Sequence, residues 1–311
     1  MIPSIASVTV AYNPVHVLPR QVEALLRQSR PLQEIVVVDN ASTDGTSDLL
    51  TRRYPQVTIL KMSENIGMGG ALAAGLAYAA LEKRHDWVWT FDGDSVPDDH
   101  ALQTLLGGVC SLGSDESKIG MVAPLPVHLE TGTCYPPLLW QDGYVKPTPD
   151  VLRKPVWFAD LVISSGCMVR REVVETIGVP RADFFIDFVD FEYCLRARSQ
   201  GYQIAVVNGC KLEHEIGNAR KVKVPGFRGL WPDHAPWREY YISRNMVHTA
   251  WWLYPNRRTK QFVVCHLIRH AGGALFFGSN KLACLGKLAQ GFWDGRRANL
   301  GVRFRPNSTG Q

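Results

Sequence analysis

The chain has 311 residues, 46% hydrophobic and 20% charged, a composition of an ordinary globular protein large enough for one big domain or two small ones. Its net charge of +5 is unevenly spread: residues 257–311 hold ten Lys/Arg and one acid, a net +9, leaving −4 for residues 1–256. The acidic part carries no basic, aromatic-laced groove, which argues against a nucleic-acid partner, and no 18-residue apolar window is present that would predict a membrane-spanning helix.

The first half alternates strand and helix. Strands are expected over 5–11, 34–39, 57–61 and 87–91, the second carrying the Ile-Val-Val-Val run of a strand buried on both faces. Helices are expected over 15–28, with Val15, Leu18, Val22, Leu25 and Leu26 on one face, from a Ser42 or Thr43 cap to residue 54, over 69–82, and from Asp98 and Asp99 to about residue 112. This order implies a parallel α/β sheet with helices on both faces and right-handed crossovers. From 120 to 165 seven prolines punctuate the pattern, and short strands and a long loop are expected. Beyond it the reading gives a strand over 167–170, helices over 171–177 and 188–200, and a short strand over 203–207. After Trp237 the chain reads as helical, interrupted at Pro255 and at Gly272-Gly273.

The seven cysteines form no CxxC pair, which points to reduced thiols in a cytosolic compartment. The N-terminus lacks the basic and apolar regions of a signal peptide. Basic residues mixed with Phe, Leu and Trp in 257–311 suit peripheral binding to an anionic membrane surface. A helical subdomain that packs on the core or forms a homo-oligomer interface explains the same composition.

Two acidic segments carry the chemistry. Trp87-Val-Trp-Thr-Phe-Asp-Gly-Asp-Ser95 ends a strand in Asp92 and Asp94, a hard-oxygen site for Mg²⁺ or Mn²⁺ at the strand end where open α/β sheets bind ligands. Asp-Gly-Asp-Ser is also good turn chemistry. Asp187-Phe-Val-Asp-Phe-Glu192 puts Asp190 on an apolar backing suited to a general base, while Glu192 and Arg196 are spaced for an i,i+4 ion pair and Asp187 complements a helix start. Asp39, ending the second strand, can accept from a base N–H or a ribose hydroxyl, or serve a turn. Asn65-Ile-Gly67 opens the third helix where backbone can approach a diphosphate. His214 offers a nitrogen ligand or is an ordinary surface or core histidine, and Arg244, beside two tyrosines, either neutralises a phosphate or packs.

Taken in order, Val8-Thr-Val-Ala-Tyr-Asn13, Val38-Asp-Asn-Ala-Ser-Thr-Asp44, Asn65-Ile-Gly67, Phe91-Asp-Gly-Asp-Ser95, the segment 185–196 and Leu212-Glu-His214 resemble glycosyltransferase family 2, inverting enzymes of the GT-A fold. Within it, 185–197 and Tyr240-Tyr-Ile-Ser-Arg-Asn245 look most like bacterial rhamnosyltransferases, and galactofuranosyltransferases are similar in the same segments. The resemblance implies that Tyr12 and Asp39 contact the nucleotide base with Asn13 nearby, and that Asn65 and Gly67 lie near the ribose and diphosphate. It implies that Asp92 lies toward the ribose and metal, that Asp94 binds Mn²⁺ or Mg²⁺ directly with His214, and that Asp190 is the general base. Gly93 and Ser95 depart from the residues often seen around this motif, so the metal preference stays open. The implied layout is a GT-A domain over 1–245, its nucleotide-sugar half ending near 115 and its acceptor half following, with a helical basic region over 246–311. The implied partners are a dTDP- or UDP-sugar donor and a glycan or lipid-linked glycan acceptor at the inner face of the cell membrane. A nucleotide-sugar-binding protein without turnover would need the fold but not Asp190. A nucleotidyltransferase would carry a glycine- and basic-rich loop where Tyr12-Asn-Pro-Val-His16 stands.

Overall fold

Ile5–Ala11 (β1) is buried along its whole length, as a strand covered on both sheet faces must be. The computed structural model describes residues 2–127, 137–141, 143–213, 219–224 and 227–306. After β1 come Leu18–Leu26 (α1), Glu34–Asp39 (β2), Thr46–Arg53 (α2), Thr58–Lys61 (β3), Gly67–Leu76 (α3) and Trp87–Asp92 (β4). Past Leu76 the third helix continues with π-type hydrogen bonding over Ala77–Glu82. β3, β2, β1 and β4 pair in that order and all in parallel, so their C-terminal ends share one edge. A Cβ at Gly75 would sit inside van der Waals contact of Val8 Cγ1, so glycine lets α3 lie directly on β1.

The next elements are Val96–Pro97 (β5), Ala101–Cys110 (α4), Ile119–Val127 (β6), Leu139–Trp140 (β7), Tyr144–Val145 (β8), Pro149–Leu152 (α5), Val156–Ala159 (β9), Met168–Arg170 (β10), Arg171–Ile177 (α6), Val189–Ser199 (α7) and Gln203–Glu213 (β11). The sheet runs β3-β2-β1-β4-β10-β6-β11-β5, with β9 on β11. β10 is antiparallel to both neighbours, while β6 and β11 are parallel. The sheet is thus mixed and mostly parallel, an α/β architecture with flanking helices.

Two expectations change here. Where short strands and a long loop are expected after 120, Ile119–Val127 is a nine-residue strand inside the sheet that includes Pro124 and Pro126. β10 pairs only with Met121 and Val122, so the prolines, which lack an N–H, lie beyond that ladder. The strand expected over 203–207 extends to Glu213, with a register shift between Val207 and Lys211 that hid its length.

Ala219–Val224 (β12) and Phe227–Pro232 (β13) form an antiparallel pair, followed by Pro236–His248 (α8), Arg257–Phe277 (α9) and Lys281–Arg296 (α10). The break at Pro255 is present: Asn256 caps α9 by accepting from the Thr259 N–H at 2.8 Å. Gly272-Gly273 does not interrupt the chain, since α9 runs through it. A Cβ at Gly291 or Gly295 would meet the carbonyl oxygens of Tyr240 and Arg244, so these glycines let α10 close on α8. The chain divides into two compact units, Met1–Trp140 with Tyr144–Ala182 and Asp190–Glu215, and Gln141–Gly143 with Asp183–Val189 and Ile216–Gln311. No helix among the described residues is long and apolar enough to cross a membrane.

Candidate active site

The parallel register aligns the carboxylates. Asp39 pairs with Ala11 and Asp92 with Val10, so the two acids flank β1 at the C-terminal edge. At ~4.8 Å per strand they are roughly 10 Å apart, the scale of a nucleotide crevice.

The loop after β2 is tied to the loop after β1. Asp39 is 4% exposed; its Oδ1 accepts the Ser42 N–H at 2.9 Å and its Oδ2 the Ser47 hydroxyl. Asn13 has a left-handed φ of 56° beside the half-buried Tyr12. Its N–H donates to Ser42 Oγ at 3.0 Å and its Oδ1 accepts the Thr43 N–H at 2.8 Å. The expected cap of α2 by Ser42 or Thr43 is therefore corrected, because both serve Asn13. Gly45 stands at the cap position with a left-handed φ of 90°, and Asp44 before it accepts from the Thr46 N–H and hydroxyl and from the Val15 N–H. Burial pushes the Asp44 carboxyl up, but these hydrogen bonds outweigh it and hold it below the usual range.

Asn40, which sequence reasoning passed over, builds the Asn65-Ile-Gly67 turn. Its Oδ1 accepts the Ile66 N–H at 2.9 Å, and its Nδ2 donates to Asn65 Oδ1 at 3.1 Å and to the Gly67 carbonyl at 3.3 Å. Asn65 Oδ1 also accepts the Gly67 N–H at 2.9 Å, closing a turn in which Gly67 takes a φ of 77°. Asp39, Asn13, Asn65 and Gly67 thus belong to one hydrogen-bonded edge.

The turn over 92–95 is held from beneath by Gln21 of α1. This side chain is fully buried; its Nε2 donates to the Asp92 carbonyl at 2.6 Å and the Ser95 carbonyl at 2.5 Å, and its Oε1 accepts the Thr9 hydroxyl. From the other side Ser165 Oγ accepts the Asp92 N–H at 3.4 Å and donates to Ser95 Oγ at 2.6 Å, and Ser95 Oγ donates to Asp94 Oδ1 at 3.3 Å. The relay leaves Asp92 and Asp94 on a backbone held at three points, the Asp92 N–H and the Asp92 and Ser95 carbonyls. Gln21 carried a readable signal: it lies on the apolar stripe of α1 with Leu18, Val22 and Leu25. Ser165 carried none.

Asp190 stands in the first turn of α7. Its Oδ1 accepts the Phe191 N–H at 2.9 Å and its Oδ2 the Ser164 N–H at 3.4 Å, next to the serine that holds the 92–95 turn. It borders a small cavity of about 20 Å³ walled by Leu72, Leu76, Val162, Cys167 and Cys194. Burial, with the Asp190 charge second, pushes the Cys167 thiol up to about 12. Glu192 and Arg196 form the expected pair at 2.9 Å. Asp187 precedes α7 and accepts a two-nitrogen contact from Arg238.

Two expected residues remain. Arg244 is corrected: it is 0% exposed, and its guanidinium donates to the carbonyls of Gly301, Asp183 and Phe184 and to Asn245 Oδ1 while lying over the Tyr240 and Tyr241 rings. These bonds occupy it structurally, so it is not offered to a phosphate. His214 lies outside the described residues. The donor set that is described, two carboxylates one residue apart at a strand end, fits a hard divalent cation.

The family model of Glycosyl transferase family 2 matches residues 7–178. The dTDP-rhamnosyl transferase RfbF of Shigella flexneri is 30% identical over 244 residues, 78% of this chain and 78% of that one. Galactofuranosyltransferase GlfT1 of Mycolicibacterium smegmatis is 25% identical over 253 residues, 78% of this chain and 81% of that one. Among solved structures, that of GalNAc-T7 with UDP, GalNAc and Mn²⁺ superposes with a TM-score of 0.62 at 16% identity, covering 95% of this chain. The chain spans 56% of the length of that structure, and the likeness is one of fold.

Proposed function

Because the chain belongs to glycosyltransferase family 2 and is a glycosyltransferase, we propose that it moves rhamnose from dTDP-rhamnose to a hydroxyl of a bacterial surface glycan by a single displacement that inverts the anomeric carbon. The observation that carries this reading is the turn over 92–95, fixed by Gln21 and Ser165, in a chain 30% identical to a dTDP-rhamnosyl transferase.

In this reading Tyr12, Asn13 and Asp39 hold the base, and Asn65 and Gly67 line the ribose and diphosphate. Asp92 and Asp94, joined by His214, would hold Mn²⁺ or Mg²⁺, which when bound neutralises charge growing on the departing diphosphate. Asp190 takes the proton of the acceptor hydroxyl. That oxygen forms a bond to the anomeric carbon as the bond to the diphosphate oxygen breaks, and dTDP leaves. The Ser164 N–H orients the Asp190 carboxylate, which supports its role as base. Arg244 is left out of the donor site because its guanidinium is already shared among carbonyls.

Residues 1–115 would bind the donor, 116–245 the acceptor, and 246–311 would form a helical region that meets an anionic inner membrane surface carrying a lipid-linked acceptor. Exposed Ile268, Phe276, Leu282 and Trp293 among basic residues support that last assignment. A self-association face is its competitor. The likeness to a galactofuranosyltransferase favours UDP-galactofuranose as the second donor to try.

Thermal shift with dTDP-rhamnose, UDP-galactofuranose, UDP-glucose and the free diphosphates, with and without Mn²⁺, tests the donor, since ligand binding raises the melting point by mass action. The largest metal-dependent shift is expected with dTDP-rhamnose. No shift with any of them in folded protein contradicts the reading.

A further inference from the structure

A second cluster of metal-ligating groups lies in the helical unit and has no part in the chemistry above. Nitrogens of His234 and His270 and a carboxylate oxygen of Glu239 all lie within 4.8 Å of one another. Glu239 is in the first turn of α8 and only 2% exposed. His270 Nε2, from α9, lies 2.7 Å from Glu239 Oε2, and His234 Nδ1 lies 3.3 Å from Oε1. His234 Nδ1 is itself buried and makes no hydrogen bond of acceptable geometry. Buried polar groups normally have well-formed hydrogen bonds, so this nitrogen has capacity for a further partner.

We propose that His234, Glu239 and His270 form a zinc site, separate from the carboxylates at the strand end. The donor set carries the choice of metal: two imidazole nitrogens and one carboxylate are a borderline set that suits Zn²⁺, whereas Mg²⁺ takes oxygen and water. Four ligands at ~2.0–2.1 Å in a tetrahedron stand roughly 3.3 Å from one another, the spacing found between His234 Nδ1 and Glu239. The fourth position goes to water.

The surroundings agree. The segment before α8 is pinned by Asp233, whose carboxylate accepts the Ser279 hydroxyl and N–H, so His234 is held in place by a bond other than its own. His266 stacks on His270 at 6.2 Å between ring centroids. The cation would clamp the start of α8 to the middle of α9.

The test uses the full chain as Asp92→Ala/Asp94→Ala, which removes the other carboxylate site, stripped with a chelator and checked for folding by circular dichroism. Calorimetry with Zn²⁺ is expected to give one equivalent, and Co²⁺ is expected to give the intense visible bands of a four-coordinate ion. His234→Gln and His270→Gln, each in that background, are expected to weaken Zn²⁺ beyond the roughly 10–100-fold cost of altering a group that only orients a ligand. No Zn²⁺ binding by the folded parent, a weak six-coordinate Co²⁺ spectrum, or undiminished affinity in both histidine variants overturns the site. The Co²⁺ spectrum needs no histidine variant, so it decides the matter even where those fail to fold.

Discussion

Gln21 donates from one side-chain nitrogen to the carbonyl oxygen of Asp92 at 2.6 Å, tying the first helix to the acidic turn that ends β4. The same nitrogen reaches the Ser95 carbonyl, so one amide spans the turn. Gln21→Leu keeps the volume and removes one donor from each of these carbonyls, at about 1–3 kcal/mol in all. Urea denaturation should report that loss. Calorimetry should report Mn²⁺-dependent donor binding weakened by roughly 10–100-fold, the cost of disturbing a group that orients ligands. Unchanged Mn²⁺-dependent affinity would remove Gln21 from the site.

Arg244 is a structural arginine. Replacing it with Met strips donors from three backbone carbonyls, and the expected cost is about 3–5 kcal/mol of unfolding free energy with donor affinity unchanged in the protein that remains folded. A phosphate-binding arginine would give the reverse: stability retained and affinity lost.

Thiol reactivity reads the environment of Asp190. Cys167 and Cys194 are buried and their thiols raised by burial, whereas Cys110 and Cys265 are exposed. Thiolate is the reactive form. Native protein treated with iodoacetamide at pH 8 should be modified at Cys110 and Cys265 and not at Cys167 or Cys194, as mapped by peptide mass spectrometry. Equal labelling of Cys167 and Cys110 would mean that the pocket beside Asp190 is open.

The basic residues of 257–311, set among exposed apolar side chains of α9 and α10, predict membrane association that salt weakens. The protein should float with phosphatidylglycerol vesicles and less with phosphatidylcholine, and Phe276→Ser with Trp293→Ser should reduce recovery. Equal recovery on both lipids refutes the anionic-surface assignment.

Much of the fold was legible because β1, β2 and β4 are apolar runs followed by turn residues, a pattern that short-range chemistry dictates. β6 was not, because Pro124 and Pro126 argue against a strand inside a sheet, yet both stand in register with β11 and lie beyond the reach of β10. Asp39, Asp92 and Asp94 could be picked out as carboxylates at strand ends. Asn40 and Ser165 could not, since their partners, the 65–67 turn and the Asp92 N–H, come near only once the sheet has formed. Arg244 misled for the same reason: nothing near it in sequence announces the carbonyls of residues 183, 184 and 301.

The most direct test of the central claim is transfer of labelled rhamnose from dTDP-rhamnose to a glycolipid fraction, by the native enzyme and by Asp190→Asn, with dTDP-rhamnose affinity measured on both. The account predicts transfer by the native enzyme, a fall of ~10²–10⁴ in turnover for the variant, and nearly equal donor affinity. Near-full transfer by Asp190→Asn would contradict the base assignment, and donor binding without transfer by the native enzyme would contradict this donor and acceptor.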